Sequence, residues 1–275
     1  MEIIAIGNQK GGVGKTTTTV NLAAAMALKG YRVALLDIDS QGNATSGLGL
    51  NKNEFELTIN DVFSGAATIQ EVLVSTEIEN LFIAPSNINL IAAETQKRVS
   101  CETEAEPGGQ FILKSALANL VDYFDYVFLD CPPSLGFLTF NALVAANQII
   151  VTLQCEYYAL EGISSLVETI DFVKTNLNPK LELGGILPTM YDGRTNLSRQ
   201  VCENVRDFFK DKVFKTVIPR NIRISESPSF GKPIIIYDPN SAGALAYLSA
   251  CDELEERTLK ARKLEMKLNK KIGNF

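Results

Sequence analysis

The chain opens with a short apolar run, a glycine-rich turn and a helical segment, and this order constrains its fold more than any other feature. Apart from Glu2, residues 2–6 are apolar and largely β-branched, which predicts a strand. Glycines then crowd the turn 7–15. Apolar positions recur at helical spacing from Thr16 to Lys29, and Gly30 marks the end of that helix. Strand, glycine turn and helix in succession predict an α/β unit with an anion-binding loop.

Three more apolar runs predict further strands of the same sheet. They are Val33–Leu36, Tyr126–Leu129 and Ile149–Leu153, and none of them alternates with polar residues. Continuous apolar strands between helical segments are typical of a mostly parallel, twisted sheet with helices on both faces. We therefore predict an α/β fold in one domain, residues 1–275, with a C-terminal helix and tail at about 241–275. The acidic segment 101–109 is expected to be a surface excursion.

The chain contains no histidine, and this excludes several enzyme classes. Without an imidazole there is no Ser-His-Asp or Cys-His nucleophile system and no His-ligated zinc protease. The five cysteines are scattered without a C-x-x-C pair, so we expect reduced and mostly buried thiols. The long uncharged run 131–155 is interrupted by prolines, asparagines and glutamines, so it is not the continuous apolar stretch of roughly 18 residues that a membrane span requires. No export signal is recognisable either, so a cytoplasmic protein is expected.

The glycine turn carries a phosphate-binding pattern with one irregularity. From Lys10 to Thr16 it reads K-G-G-V-G-K-T, but Gln9 stands where the strict P-loop pattern has its first glycine. Backbone N–H groups of such a turn converge on phosphate oxygens, Lys15 can reach the β- and γ-phosphates, and the Thr16 hydroxyl can ligate Mg²⁺. The predicted ATP-binding residues of this turn are Lys10, Gly11, Gly12, Val13, Gly14, Lys15, Thr16 and Thr17.

Carboxylates at the ends of two predicted strands complete a candidate nucleotide site. Asp130 follows four apolar residues, and Asp37 and Asp39 follow the second strand. Because the carboxyl ends of parallel strands meet beside such a loop, we predict that Asp130 holds Mg²⁺ directly or through water. Asp37 is predicted to contact Mg²⁺ or its water, with a helix cap as the alternative. In a chain without histidine, a carboxylate or an amide has to orient an attacking water.

Together these motifs resemble the ParA/Soj partition ATPases, P-loop NTPases of the deviant Walker A (MinD/ParA) superfamily. The resemblance rests on residues 8–18, 37–49 and 128–136 and continues through 154–162, 191–197 and 218–234. Two features depart from the family pattern: Ser40 stands where proline is usual, and the acidic 101–109 segment is longer. Since the first strand begins at residue 2, we expect no operator-binding helix-turn-helix domain before it.

The resemblance implies roles that the residues alone leave open. It implies that Lys10 crosses to the nucleotide of a second subunit and that Asp39 orients the attacking water. The implied catalytic residues are Lys10, Lys15 and Asp39. The implied adenine contacts are Met190, Pro219 and Asn221. The alternative for residues 219–221 is a simple turn. ATP and Mg²⁺ are the implied cofactors.

Residues 190–233 reverse the charge balance of the chain. The whole chain has a net charge of −6, yet this segment has nine basic residues and five acidic ones. A local basic surface suits sequence-independent contact with DNA phosphates, and the alternative is a solvated charged face. The resemblance points to Arg194 and Arg223 as DNA-contacting positions. The C-terminal segment is predicted to be a helix docked on the domain, with a membrane-surface helix or extra DNA contact as alternatives.

The function implied by the resemblance is ATP-dependent segregation of chromosomal or plasmid DNA. ATP would close two subunits into a dimer that binds DNA nonspecifically, and hydrolysis stimulated by a ParB/Spo0J-like centromere-binding partner would release it. The expected location is the cytoplasm, on the nucleoid, and membrane is not an expected partner. The first alternative is a MinD-like membrane-cycling ATPase. Others are a ligase resembling dethiobiotin synthetase and an iron–sulfur carrier related to the nitrogenase iron protein.

Overall fold

The structure is a computed structural model that describes residues 1–95, 109–156 and 159–272. Its strands are β1 (Glu2–Gly7), β2 (Val33–Asp37), β3 (Val74–Ser75), β4 (Leu81–Ala84), β5 (Tyr126–Asp130), β6 (Gln148–Gln154) and β7 (Glu182–Thr189). Its α-helices are α1 (Lys15–Leu28), α2 (Asn43–Gly47), α3 (Ile59–Ser64), α4 (Ile69–Val72), α5 (Ile112–Ala118), α6 (Phe137–Ala145), α7 (Ala159–Asn176), α8 (Asn196–Phe209), α9 (Ile222–Glu226), α10 (Ile234–Tyr237) and α11 (Ala242–Ile272). The acidic segment 101–109 lies outside the described residues apart from Gly109.

The described strands form one sheet in the order β3-β4-β2-β5-β1-β6-β7. Every pairing is parallel except that of β3 with β4. Each of the four predicted strands is present and extends the predicted run by one or two residues. The predicted α/β fold class is thus confirmed.

Helices cover both faces of the sheet and bury two separate apolar layers. Along β1, Ile4 and Ile6 point into one layer and Ala5 points into the other, as the two-residue period of a strand requires. The first layer is shared with α1 and α11, and the second with α5, α6 and α7. Strands buried on both faces explain why the central runs are apolar without alternation.

Helix α1 lies between the sheet and α11 and is buried almost all round. Every residue from Thr18 to Ala27 is buried, and the small side chains of its alanines allow close packing on both sides. The Thr18 hydroxyl lies 3.2 Å from the Tyr247 hydroxyl of α11. Gly30, with φ of 91°, follows the helix as predicted. This packing fixes the amino end of α1 beside the glycine turn.

The long C-terminal helix α11 docks on the rest of the chain, as predicted. Besides its apolar contacts, Glu253 accepts hydrogen bonds from the backbone N–H groups of Lys215 (2.8 Å) and Thr216 (3.0 Å). Arg257 donates to the carbonyl oxygens of Asp211 and Val213, both at 2.9 Å, and lies 4.5 Å from the centre of the Phe214 ring. Within the described residues, no helix is both long and apolar enough to cross a membrane.

The Glu253 contacts predict a stability difference between two glutamates of α11. Glu253→Ala leaves two backbone donors and Arg257 without their carboxylate, so we expect a loss of about 2 kcal/mol in the free energy of unfolding, or ~4 °C in Tm. Glu256→Ala is the matched control, because this exposed side chain forms an ion pair with the exposed Lys260 of its own helix. Thermal denaturation followed by circular dichroism measures both. Equal Tm values would contradict the docking role.

Candidate nucleotide-binding site

The glycine turn is held in a compact loop by its own polar contacts. Gly12 and Gly14 have φ of 72° and 84°, a conformation that side chains with a Cβ rarely adopt. The Lys15 ammonium folds back and donates to the Lys10 carbonyl oxygen at 2.9 Å. Asn8 accepts from the Lys10 backbone N–H at 2.9 Å and donates to the Thr152 carbonyl oxygen at 2.6 Å. The loop is therefore pre-formed at the carboxyl ends of β1 and β6.

Two carboxylates meet beside the loop because of strand register. β2 and β5 are parallel neighbours, and their last residues, Asp37 and Asp130, are paired directly. The Thr19 hydroxyl donates to Asp130 Oδ1 at 2.9 Å, and the Thr16 hydroxyl interacts with the same carboxylate. Asp130 Oδ2 is buried and has no hydrogen-bond partner among the described residues. A buried carboxylate oxygen without a partner is costly unless a cation or a donor completes it.

Asp37 is anchored to the start of α2. Its Oδ2 accepts from both the backbone N–H and the hydroxyl of Thr45, each at 2.8 Å, and its Oδ1 accepts from the Asp39 N–H at 3.3 Å. The capping alternative considered for Asp37 is therefore present in the structure. With its oxygens engaged in this way, Asp37 suits a contact through metal-bound water better than direct ligation.

The charged groups of Asp37, Asp130 and Lys15 influence one another strongly. Burial, and then the neighbouring Asp37 carboxylate, raise the pKa of Asp130. Burial likewise raises the pKa of Asp37, against its hydrogen bonds from Thr45. Burial lowers the pKa of Lys15, while Asp130 and Asp39 act in the opposite direction. Lys15 is thus a buried cation close to two carboxylates, in a region of low dielectric that strengthens each electrostatic interaction.

Asp39 and Lys10 lie beside these residues and closer to the protein surface. Asp39 is 9% exposed and accepts from the Gln41 backbone N–H at 3.0 Å, which leaves its other oxygen available. The Lys10 ammonium lies 2.9 Å from Glu156 Oε2, and both side chains are more than half exposed. Lys10 is therefore presented on the surface of the loop while Lys15 is turned inward.

The three candidate adenine residues are brought to one edge of the loop region. Met190 directly follows β7 and has φ of 51°, which is uncommon for a residue other than glycine. The next residue, Tyr191, pairs with Pro219 across a short parallel bridge. Asn221 Oδ1 accepts from the Arg223 N–H at 2.8 Å and caps α9. Residues 219–221 thus do form a capped turn, and Met190 and Pro219 lie on neighbouring segments.

A pocket of about 280 Å³ opens beside the phosphate end of the site. It is lined by Thr16, Thr17, Val20, Asn21, Asn43, Ser46, Gly47, Ser227, Pro228, Lys232 and Pro233. None of the three candidate adenine residues lines it. Next to the lining residues in sequence, Gly231 and Gly49 approach each other so closely that a Cβ on Gly231 would lie 2.4 Å from Gly49 Cα.

Comparisons with known proteins assign the chain to a family. A family model described as an AAA domain matches residues 1–183. The sporulation initiation inhibitor protein Soj of Bacillus subtilis is 51% identical over 253 residues, which cover 92% of this chain and 98% of the relative. The chromosome partitioning protein ParA of Myxococcus xanthus is 50% identical over 255 residues, covering 93% and 88%. The chain belongs to the Soj/ParA family.

A solved structure agrees with the Soj/ParA assignment in fold. A Mycobacterium smegmatis protein, called a cobyrinic acid a,c-diamide synthase and solved with an ATP analogue and magnesium, has a TM-score of 0.79 and 38% identity. The alignment covers 92% of this chain and 93% of that one. The Soj and ParA relatives favour chromosome partitioning over the MinD-like alternative.

For this Soj/ParA chain, the two candidate DNA-contacting arginines both pair with carboxylates of their own subunit. Arg194 makes two hydrogen bonds to Asp192, at 2.8 and 2.7 Å, and its side chain is 89% exposed. These bonds hold the pKa of Asp192 at about 2. Arg223 lies 3.1 Å from Glu226 and 3.6 Å from Asp238. Exposed pairs of this kind are weak, so phosphate oxygens can replace the carboxylates at little cost.

Several residues of the site lie outside the predicted set. Thr19 and Thr45 orient Asp130 and Asp37, and Glu156 holds Lys10. Thr189 donates to the Val13 carbonyl oxygen at 2.9 Å and ties the loop to β7. A signal exists for Thr19, because four consecutive threonines in a helix indicate that the hydroxyls matter more than helix propensity. The others depend on contacts that local sequence does not reveal.

Proposed function

We propose that this protein is a DNA-partition ATPase whose ATP-bound form is a face-to-face dimer that binds DNA without sequence preference. Hydrolysis, slow alone and stimulated by a ParB/Spo0J-like centromere-binding protein, reopens the dimer and releases the DNA in the cytoplasm, on the nucleoid. The observation that carries the proposal is the buried Lys15 beside Asp39 and Asp130 at the end of a glycine loop, with Asp37 paired to Asp130 in strand register. Membership of the Soj/ParA family supports it.

The oxygen ligands that Asp130, Thr16 and Asp37 offer beside the loop fit Mg²⁺ bound together with ATP phosphates. Asp130, through its unpartnered oxygen, and the Thr16 hydroxyl would hold the metal, with Asp37 acting through water. The described residues contain no group of three or more acidic or cysteine side chains that could hold a metal by themselves. Mg²⁺ commonly takes one or two protein ligands and completes its shell with phosphates and water. When bound, it neutralises negative charge that develops during phosphoryl transfer.

The protein's own backbone and side chains would bind the nucleotide, join the subunits and orient the attacking water. Loop N–H groups and Lys15 bind the phosphates, and the pre-formed loop reduces the entropy cost of binding. Lys10 leaves Glu156 and reaches the nucleotide of the second subunit, which makes dimerisation depend on ATP. Asp39 accepts a hydrogen bond from the attacking water through the oxygen that Gln41 does not use and so orients it. Adenine would lie against Pro219 and Asn221, with Met190 as a further contact.

DNA contact by Arg194 and Arg223 predicts a measurable loss on charge reversal. We expect Arg194→Glu and Arg223→Glu each to weaken ATP-dependent DNA binding by about tenfold and to reduce the salt dependence of binding, because each removes a phosphate contact. Asp192→Asn releases Arg194 from its carboxylate and should strengthen binding. The matched control is Lys180→Glu, which reverses an exposed charge just before β7, at the end of the sheet where the parallel strands begin. Fluorescence anisotropy with random-sequence DNA measures all four; unchanged affinity in both arginine variants would discard this surface.

The proposed function as a whole is tested by comparing binding to DNA with binding to a lipid membrane. Binding to random-sequence DNA and to liposomes with anionic lipids is measured with ATP, with ADP and without nucleotide, over a range of salt concentrations. ATP-dependent, salt-sensitive DNA binding without liposome binding is the expected result. Liposome binding alone would support membrane positioning instead. Binding to neither would contradict both and favour a metabolic reaction.

A further inference from the structure

Two cysteines outside the nucleotide site lie together in the core. Cys155 follows β6, and Cys202 lies in the second turn of α8. They are 47 residues apart in sequence, yet both are 3% exposed and belong to the same apolar cluster. Neither is in a disulfide in the structure. The nucleotide site and the candidate DNA surface do not use either thiol.

The fold positions α8 directly against the backbone of Cys155. The Ser198 hydroxyl donates to the Cys155 carbonyl oxygen at 3.4 Å. Ser198 and Cys202 are four residues apart on α8 and therefore occupy the same face of that helix. The two side chains are close enough that each thiol shifts the pKa of the other, raising that of Cys155 and lowering that of Cys202. Both thiols therefore lie where α8 packs on the end of β6, a placement from which a disulfide can form.

The two thiols of this pair also differ in character. The Cys155 thiol, and then the positive charge of Arg206 one turn along α8, lower the pKa of Cys202 to about 7. Burial raises the pKa of Cys251 to about 12 and raises that of Cys131 as well. Since the thiolate is the reactive form, Cys202 is the nucleophile among the four cysteines of the described residues.

We propose that Cys155 and Cys202 are a modification site that a small peroxide converts reversibly into a disulfide. The Cys202 thiolate attacks one peroxide oxygen, the O–O bond breaks, and the departing hydroxide takes up a proton and leaves as water. Cys202 is then a sulfenic acid. The Cys155 sulfur attacks the Cys202 sulfur, its proton goes to the hydroxyl group that leaves as a second water, and the S–S bond forms. Two electrons pass from the two thiols to the peroxide.

The disulfide would tie two functionally placed segments together. Cys155 is followed by Glu156, the partner of Lys10, and α8 begins two residues after Arg194. Because both thiols are buried, the oxidant has to be small, and a bulky disulfide such as oxidised glutathione should react more slowly than hydrogen peroxide. Thiol reductants attack the S–S bond by exchange and restore both cysteines.

Peptide mapping of the full-length protein tests the proposal without any variant. The protein is treated with hydrogen peroxide, alkylated under denaturing conditions and analysed by mass spectrometry. We expect the Cys155 and Cys202 peptides to appear linked and lighter by two hydrogen atoms, while Cys131 and Cys251 stay fully alkylatable. Dithiothreitol should restore alkylation at both positions. Retention of all free thiols, or links only between chains, would overturn the proposal.

Serine variants assign the order of the two steps. Cys155→Ser should stop at a Cys202 sulfenic acid that dimedone traps, whereas Cys202→Ser should leave Cys155 alkylatable after the same treatment. Cys251→Ser, a buried thiol on α11, is the matched control and should form the disulfide as the unchanged protein does. Circular dichroism checks that each variant is folded. Dimedone labelling of Cys155 in Cys202→Ser would reverse the assigned roles and contradict Cys202 as the attacking thiol.

Discussion

Lys15→Ala should lower the affinity for ATP by at least about two orders of magnitude. Each hydrogen bond from a charged donor contributes ~1.5–3 kcal/mol, and ~1.4 kcal/mol corresponds to a tenfold change in Kd. The larger part of the lost affinity comes from the carboxylates that remain in the site. Without the buried ammonium, an anionic nucleotide would approach Asp39 and Asp130 with no buried cation to offset their charge. Isothermal titration calorimetry with Mg²⁺–ATP measures the loss.

Two other lysines separate this effect from general loss of positive charge. Lys174→Ala removes a half-exposed lysine that pairs with Glu182 far from the loop, and it should bind ATP as the unchanged protein does. Lys10→Ala removes the exposed loop lysine, and in that variant we expect loss of ATP-dependent dimerisation, measured by light scattering. An ATP affinity of Lys15→Ala within threefold of the unchanged protein would mean that the glycine loop does not hold the phosphates.

The predictions from sequence succeed where local chemistry decides the structure. The strand before the glycine turn, the helix from Thr16 and its end at Gly30 follow from apolar runs and from glycine's tolerance of positive φ. The two candidate aspartates could be placed at strand ends because each follows a continuous apolar run. That they are direct neighbours could not be predicted, because the pairing of β2 with β5 joins segments about 90 residues apart.

Three strands escape the apolar-run criterion for identifiable reasons. β3 has only two residues, Val74–Ser75, which are too few to show a pattern. β4 has only four residues, Leu81–Ala84, and a run that short does not distinguish a strand from a helix. β7 contains two glycines and Pro188, which weaken the strand pattern, but it is an edge strand of the sheet and an edge tolerates both. Its end nevertheless positions Thr189 and Met190 at the loop, so part of the candidate site depends on a strand with a weak sequence signal.

The contacts that orient the site are the least predictable part. Thr19 bonds Asp130 across 111 residues, and Lys10 bonds Glu156 across 146. Local patterns carry no information on which hydroxyl or carboxylate will face which across the sheet. A threonine run and a family motif indicate that the residues matter, but the partner of each emerges only from the packing of α1 against β5 and from the end of β6 beside the loop.

Asp39→Ala should bind ATP and remain a dimer while its hydrolysis rate falls by ~10²–10⁴-fold, the range typical of a positioned acid–base group. The buried oxygen without a partner belongs to Asp130, and the Asp39 carboxylate accepts its hydrogen bond from Gln41 in the turn after β2. Removal of the Asp39 side chain should therefore leave phosphate binding in place. Phosphate release under saturating ATP measures turnover, and size-exclusion chromatography with ATP measures dimerisation. A trapped ATP dimer should also stay on DNA longer.

Asp39→Asn distinguishes a role in orienting water from a role in holding the turn. The amide oxygen can still accept the hydrogen bond from the Gln41 N–H, so the turn after β2 is kept. The amide is neutral, however, and accepts a proton far less readily than a carboxylate does. If Asp39 acts on the attacking water, Asp39→Asn hydrolyses ATP nearly as slowly as Asp39→Ala. Normal turnover in Asp39→Asn with slow turnover in Asp39→Ala would assign the residue to the shape of the turn, and the water would then have to be oriented by another group.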